Sequence, residues 1–248
     1  DYVEPVYLEK MDSAQRLEDS DLVLCGFHHL YDGTDVRKVP ELSGTWALEA
    51  FAEPFLSLYE KSYLNMPWNK LFRREWLGKF DTDLSLGEDL LFNLEYLRRC
   101  RKITVVPEAL CFYIQEEQKT TLSSRKREDR LELAKMVCRE TEHFYEEQWK
   151  TRPDGRIFTR YMNEILDECE KLPTDRSLSL KEKREYIHMC AGDSWVRQRG
   201  KEACLSLPDY RILWFFLKRD MPRTVYALCL LRRAVVTILN EMRRRRQR

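Results

Sequence analysis

The spacing of apolar residues changes once along this chain of 248 residues, and that change restricts its possible folds more than any other feature. Up to about residue 115, runs typical of strands alternate with helical spacings. From Lys126 onward, nearly every segment has helical spacing. Alternating strands and helices are typical of a sheet covered by helices. The pattern therefore predicts an α/β domain over residues 1–125 and a helical extension over residues 126–248.

A turn signal organises the start of the α/β region. Residues 21–31 are rich in apolar and aromatic side chains and end at Asp32-Gly33. This arrangement predicts a strand and a hairpin that returns over residues 36–39. Further along, residues 69–77 follow a proline and predict a short helix.

The second part of the α/β region contains a clear helix and two predicted strands. Gly87-Glu88-Asp89 precedes a helix over residues 90–99, and acids at a helix start are favoured by the helix dipole. Pro107 then divides an apolar segment into two predicted strands, because proline cannot donate a hydrogen bond to a neighbouring strand.

Cysteine and histidine spacings argue against the common zinc and redox motifs. The eight cysteines include no C-x-x-C pair, and His28-His29 has no partner at ligand spacing. Most of the cysteines lie among apolar residues, where a free thiol packs as a small hydrophobic group. We therefore interpret them as reduced thiols and expect a cytoplasmic protein. No signal peptide is visible, and no run of about 18 apolar residues predicts a membrane-spanning helix.

Charge is unevenly divided, although the whole chain has a net charge of +1. The residues after 210 carry a net charge of +9 and the first 210 carry −8. A predicted C-terminal helix ends in arginines and places five apolar residues on one face: Leu228, Leu231, Val235, Ile238 and Met242. Such a basic amphipathic helix suits a membrane surface, and a helix packed on the body is an equally good interpretation. No nucleic-acid motif accompanies the arginines, so no nucleic-acid partner is expected.

Three ordered segments carry a resemblance to a known family. They are W-N-K-L-F at residues 68–72, G-E-D-L-L-F at residues 87–92 and a strand ending in L-C-F-Y at residues 110–113. Together they resemble the acceptor-side half of family 2 glycosyltransferases, the inverting enzymes with a GT-A fold. The opening Asp1-Tyr2 also resembles the residues at the end of that family's D-x-D metal motif. The resemblance covers residues 1–125 and implies a partial GT-A-type mixed sheet with flanking helices.

The resemblance also implies roles for individual residues. The aspartate of the family's Glu-Asp motif is the general base, which implies that role for Asp89, with Glu88 orienting the acceptor or sharing the proton. By themselves these acids would be ordinary first-turn residues, and the flanking motifs favour the catalytic interpretation. The other implied site residues are Trp68, Asn69 and Lys70 for the acceptor, Lys119 and Arg125 for the diphosphate, and Asp1 for a metal ion. Trp68 is equally well interpreted as a core residue, and a plain polar loop also explains residues 119–125.

The implied activity is transfer of a sugar, with inversion, from a nucleotide-sugar donor to a saccharide or lipid-linked acceptor. Such enzymes commonly serve surface-polysaccharide synthesis and use a divalent metal, Mn or Mg. The family's motifs for holding the nucleotide do not occur here, and the chain begins at Asp1 rather than Met. We therefore expect a C-terminal portion that is incomplete by itself. The alternative is a non-catalytic scaffold or acceptor-binding module with the same fold. A location on the inner face of the plasma membrane would suit a lipid-linked acceptor.

Overall fold

Two parallel strands form the centre of the sheet, β2 (Leu22–Tyr31) and β6 (Lys102–Gln115). The computed structural model describes residues 1–31, 34–81, 84, 87–115 and 130–246. The remaining strands are β1 (Tyr2–Val3), β3 (Thr34–Lys38), β4 (Gly44–Ala47) and β5 (Lys70–Phe72). The helices are α1 (Tyr7–Glu18), α2 (Ala52–Glu60), α3 (Glu88–Leu97), α4 (Arg130–Trp149), α5 (Gly155–Lys171), α6 (Leu180–Gly192), α7 (Ser194–Glu202), α8 (Pro208–Leu217) and α9 (Pro222–Arg246).

Each central strand has two short antiparallel neighbours on its outer edge. Strands β4 and β1 pair with successive parts of β6, and β5 and β3 pair with successive parts of β2. The predicted hairpin is therefore confirmed as the β2–β3 pair. The first six residues of β2 are buried, because helices and neighbouring strands cover them from both sides.

Two sequence predictions about strands and helices were wrong. Residues 69–77 form strand β5 and a 3-10 turn over Arg74–Trp76, because β5 pairs with Leu22–Leu24 of β2 and long-range pairing overrides the local helical spacing. Pro107 does not end a strand either. It lies within the single strand β6, beside a shift in the pairing register at Gly26, where the ladder is irregular.

The chain divides into two compact units, Asp1–Ile157 and Phe158–Arg248. The first unit extends past the predicted boundary at residue 125 because helix α4 packs within it. Phe144 and Trp149 of α4 contact the ring of Phe55, and the Trp149 indole donates a hydrogen bond to the carbonyl of Leu48 at 2.7 Å. The aromatic residues of α4 thus complete the core of the α/β unit.

The second unit consists of helices, and two of them, α6 and α7, begin at a side-chain cap. Ser179 caps α6 in a capping box with Glu182, and Asp193 caps α7 by accepting a hydrogen bond from the Val196 amide. These caps satisfy amide groups that have no partner within the helix. Within the described residues, no helix combines the length and apolar character needed to cross a bilayer.

Candidate functional site

A glycine fixes the start of α3 and so places the Glu88-Asp89 pair. Gly87 has a positive φ of 84°, a conformation that residues with a side chain rarely adopt. A Cβ atom at this position would lie 2.3 Å from Cγ2 of Val137 on α4. The turn can therefore approach α4 only because residue 87 is glycine. Glu88 and Asp89 follow directly as the first two residues of the helix.

Asp89 is half-buried, and its surroundings favour the protonated form of its carboxyl. Burial is the main cause of its raised pKa, and the neighbouring charge of Glu88 adds to the effect. Lys70 acts in the opposite direction by stabilising the carboxylate. A carboxylate with a raised pKa is a better proton acceptor than an exposed aspartate, which is the property a general base requires.

Lys70 is buried, and its charge and that of Asp89 influence each other. Its ammonium donates hydrogen bonds to the carbonyls of Tyr63, at 2.9 Å, and Met66, and to Oδ1 of Asn69 at 2.8 Å. Burial lowers the pKa of Lys70 to about 7, while the charge of Asp89 is among the influences that raise it. Asp89 and Lys70 thus form an electrostatically coupled pair, each affecting the protonation of the other.

Asn69 is fully buried and holds the turn that carries Lys70. Its amide nitrogen donates to the carbonyls of Cys25, at 2.9 Å, and Tyr63, at 3.2 Å. These partners tie the turn to the central strand β2. The acceptor-binding roles of Asn69 and Lys70 stay predictions, and the structure gives both side chains partners within the chain.

Trp68 is half-buried at the start of a line of aromatic rings. Its indole stacks with Tyr113, with centroids 5.6 Å apart, and Tyr113 stacks in turn with His29 at 5.4 Å. The phenol of Tyr7 donates to the backbone carbonyls of residues 68 and 70, at 3.3 and 3.2 Å. The backbone of the W-N-K segment is thereby held in place, while the Trp68 ring remains partly exposed.

Helix α3 carries a polar stripe that continues from Asp89 and was not predicted from the sequence. Asn93 and Tyr96 follow at positions i+4 and i+7, which lie on one face of a helix. The Asn93 amide donates to the carbonyls of Leu64 and Asn65, at 2.9 and 3.1 Å. Its own Oδ1 is buried and has no hydrogen-bond partner among the described residues, and the same is true of Oδ1 of Asn65. The i, i+4, i+7 spacing of polar residues was the signal that could have identified this face.

Asp1 is the remaining predicted site residue within the described part of the chain. Asp1 is exposed, and its carboxylate accepts a hydrogen bond from the Ile114 amide at 2.8 Å. No group of three metal-ligating side chains occurs among the described residues, so these residues do not by themselves fit a metal ion. Lys119 and Arg125 lie outside the described residues.

Comparison with known proteins identifies a curated relative and similar solved structures. No family model matches the chain. Over 129 residues, half of this chain, it is 26% identical to the uncharacterized glycosyltransferase EpsJ of Bacillus subtilis strain 168. The crystal structure of S. aureus TarS 1-349 in complex with UDP-GlcNAc superposes on 94% of this chain with a TM-score of 0.56 and 14% identity. A second structure of TarS 1-349 covers the same share, with a TM-score of 0.54 and 15% identity.

These comparisons confirm the predicted fold class, a mixed sheet with flanking helices followed by a helical C-terminal region. They also confirm the resemblance to glycosyltransferases, and the fold of this chain is similar to that of TarS. The chain spans 37% of EpsJ and 64–65% of the TarS chains.

Proposed function

We propose that this protein transfers a sugar from a nucleotide-sugar donor to a hydroxyl of a saccharide or lipid-linked acceptor, with inversion, in surface-polysaccharide synthesis. One observation carries the proposal. A half-buried aspartate with a raised pKa, Asp89, stands at the start of α3, electrostatically coupled to buried Lys70, in a glycosyltransferase-like fold.

The proposed reaction needs one proton acceptor and a fixed acceptor hydroxyl. Asp89 takes the proton as the hydroxyl oxygen attacks the anomeric carbon, and the bond from that carbon to the nucleoside diphosphate breaks on the opposite side. Lys70 stabilises the carboxylate form of Asp89. Glu88 adjoins the base in the same helical turn, where it orients the acceptor.

The acceptor would lie between α3 and the line of aromatic rings formed by Trp68, Tyr113 and His29. Trp68 offers a partly exposed apolar ring against which the C–H face of a sugar can pack. The unpartnered Oδ1 of Asn93 can accept a hydrogen bond from a donor in the same region, and satisfying a buried acceptor favours binding. Asn69 would act through Lys70 as a positioning residue.

The nucleotide-sugar donor and its contacts are inferred from the comparison with TarS and from residues predicted from the sequence. The TarS structure holds UDP-GlcNAc, and we extend the class, a nucleotide sugar, to this protein. Lys119 and Arg125 remain the predicted contacts for the diphosphate. A divalent metal, Mn or Mg, remains a prediction for the whole protein, with Asp1 as its candidate ligand.

The second unit suits a peripheral position on the inner face of the plasma membrane. Large apolar side chains of α8 and α9 are exposed, among them Ile212, Phe215, Leu231 and Ile238, and the guanidinium of Arg219 lies 3.5 Å from the centre of the Phe215 ring. Apolar residues edged by cations match the chemistry of an anionic lipid surface. All eight cysteines are free thiols, as is typical of a reducing compartment.

The experiment that tests the proposed activity measures sugar release and transfer from a panel of labelled nucleotide sugars. The whole protein is used, with lipid-linked and oligosaccharide acceptors supplied separately. An enzyme must bind and consume at least one donor. Absence of donor binding and turnover with every member of the panel would contradict the proposal and favour the scaffold alternative.

A further inference from the structure

We propose that a cationic cavity in the second unit is a binding site for a phosphate-bearing ligand. The cavity has a volume of about 380 Å³ and lies where the end of α7, the segment after it and α8 meet. It is built wholly from residues of the second unit. The inference therefore stands independently of the sugar-transfer proposal.

Three of the described residues that line the cavity are cationic. Lys201, Arg211 and Lys218 contribute to its wall, and none of its described lining residues is Asp or Glu. No carboxylate in the described part of the chain forms an ion pair with any of the three. Three like charges around one space repel each other, and an anion in that space offsets the repulsion.

A hydrogen bond to the backbone fixes the orientation of Arg211, one of these cations. The Nε of Arg211 donates to the carbonyl of Leu205 at 2.6 Å, which orients the guanidinium at the wall. The two terminal nitrogens then remain to donate to a ligand, and a guanidinium fits two oxygens of a phosphate at once. Lys218 is the C-cap residue directly after α8, seven positions beyond Arg211 and therefore on the same side of the helix.

The floor of the cavity is apolar and closely packed. Trp214 and Leu205 are buried and line it. Gly200 lies so close to Trp214 that an added Cβ would be 2.2 Å from the indole, so glycine permits this contact. A preformed apolar floor with cations around it suits an organic phosphate or a phospholipid headgroup, because each has an anionic group joined to a less polar part.

The experiment measures two probes on the whole protein by titration calorimetry and vesicle sedimentation. Inorganic pyrophosphate represents a soluble phosphate, and phosphatidylglycerol vesicles, compared with phosphatidylcholine vesicles, represent a lipid headgroup. Two variants alter the cavity in different ways: Lys201→Ala with Lys218→Ala removes charge, and Ala203→Leu reduces volume. The matched control, Arg176→Ala with Lys181→Ala, removes two exposed cations elsewhere on the same unit.

We expect the unmodified protein to bind at least one probe. Both cavity variants should bind that probe about tenfold more weakly, because the double lysine variant loses two charge contacts and Ala203→Leu loses space for the ligand. The control should bind within twofold of the unmodified protein. Pyrophosphate binding would identify a soluble ligand, and binding to phosphatidylglycerol vesicles alone would identify a lipid headgroup. The proposal is overturned if neither probe binds, if the control weakens binding equally, or if Ala203→Leu has no effect.

Discussion

Replacing Gly87 with alanine tests how the Glu88-Asp89 pair is positioned. The new Cβ would force a residue with a side chain into a positive φ of 84°, which costs about 1–2 kcal/mol. It would also meet Cγ2 of Val137 at 2.3 Å, and such overpacking costs about 1–3 kcal/mol. The smaller entropy of the unfolded alanine chain offsets about 0.4–1 kcal/mol. We therefore expect Gly87→Ala to lower the free energy of unfolding by about 1–5 kcal/mol.

Urea-induced unfolding, followed by circular dichroism, measures this loss, and two further variants separate its causes. Gly78→Ala is the matched control, because an added Cβ there meets nothing within 4 Å and should change stability by less than about 0.5 kcal/mol. In a Val137→Ala background the clash with Cγ2 of residue 137 is removed. The loss of unfolding free energy caused by Gly87→Ala should then fall to the contribution of the positive φ alone. Equal effects at positions 87 and 78, or an unchanged cost in the Val137→Ala background, would refute the reasoning.

Three other predictions concern stability. Because the pKa of Lys70 is lowered to about 7 in the folded protein, the unfolded chain binds more protons between that pH and about 10, and stability should rise by up to about 1.4 kcal/mol per pH unit there. Lys70→Met should remove this rise in urea titrations at pH 7.5 and 9.5. Asp21→Ala removes a buried carboxylate that accepts hydrogen bonds from two backbone amides and Arg73, and should cost about 3–5 kcal/mol by the same titration. Ser179→Ala removes the cap on the Glu182 amide of α6 and should cost about 1 kcal/mol, whereas Ser179→Asp should cost less.

Features with local signals were predicted well from the sequence. The hairpin from β2 to β3 was indicated by an apolar run ending at a turn. The helix after Gly87 was indicated by acids at its start, and the structure places those acids in the first turn of α3. Both signals arise from backbone preferences within a few residues, so they can be recognised in the sequence without knowledge of the tertiary structure.

Features set by long-range contacts were missed. Strand β5 exists because three residues pair with β2, some 48 residues away along the chain, and its own spacing resembles a helix. The packing of α4 in the first unit depends on aromatic contacts with Phe55, which no local pattern shows. The burial of Lys70 could not be foreseen either, because its partners are backbone carbonyls that only the folded turn brings together.

The most direct test of the central claim is the effect of Asp89→Asn on sugar transfer and on donor binding, measured in the same preparation of the whole protein. The matched control is Glu95→Gln, which makes the same chemical change at an exposed position of the same helix. If Asp89 is the base, its variant loses about 10²–10⁴-fold in transfer rate, donor affinity stays within about twofold, and the control keeps its activity. Transfer by Asp89→Asn at the rate of the unmodified protein would contradict the account.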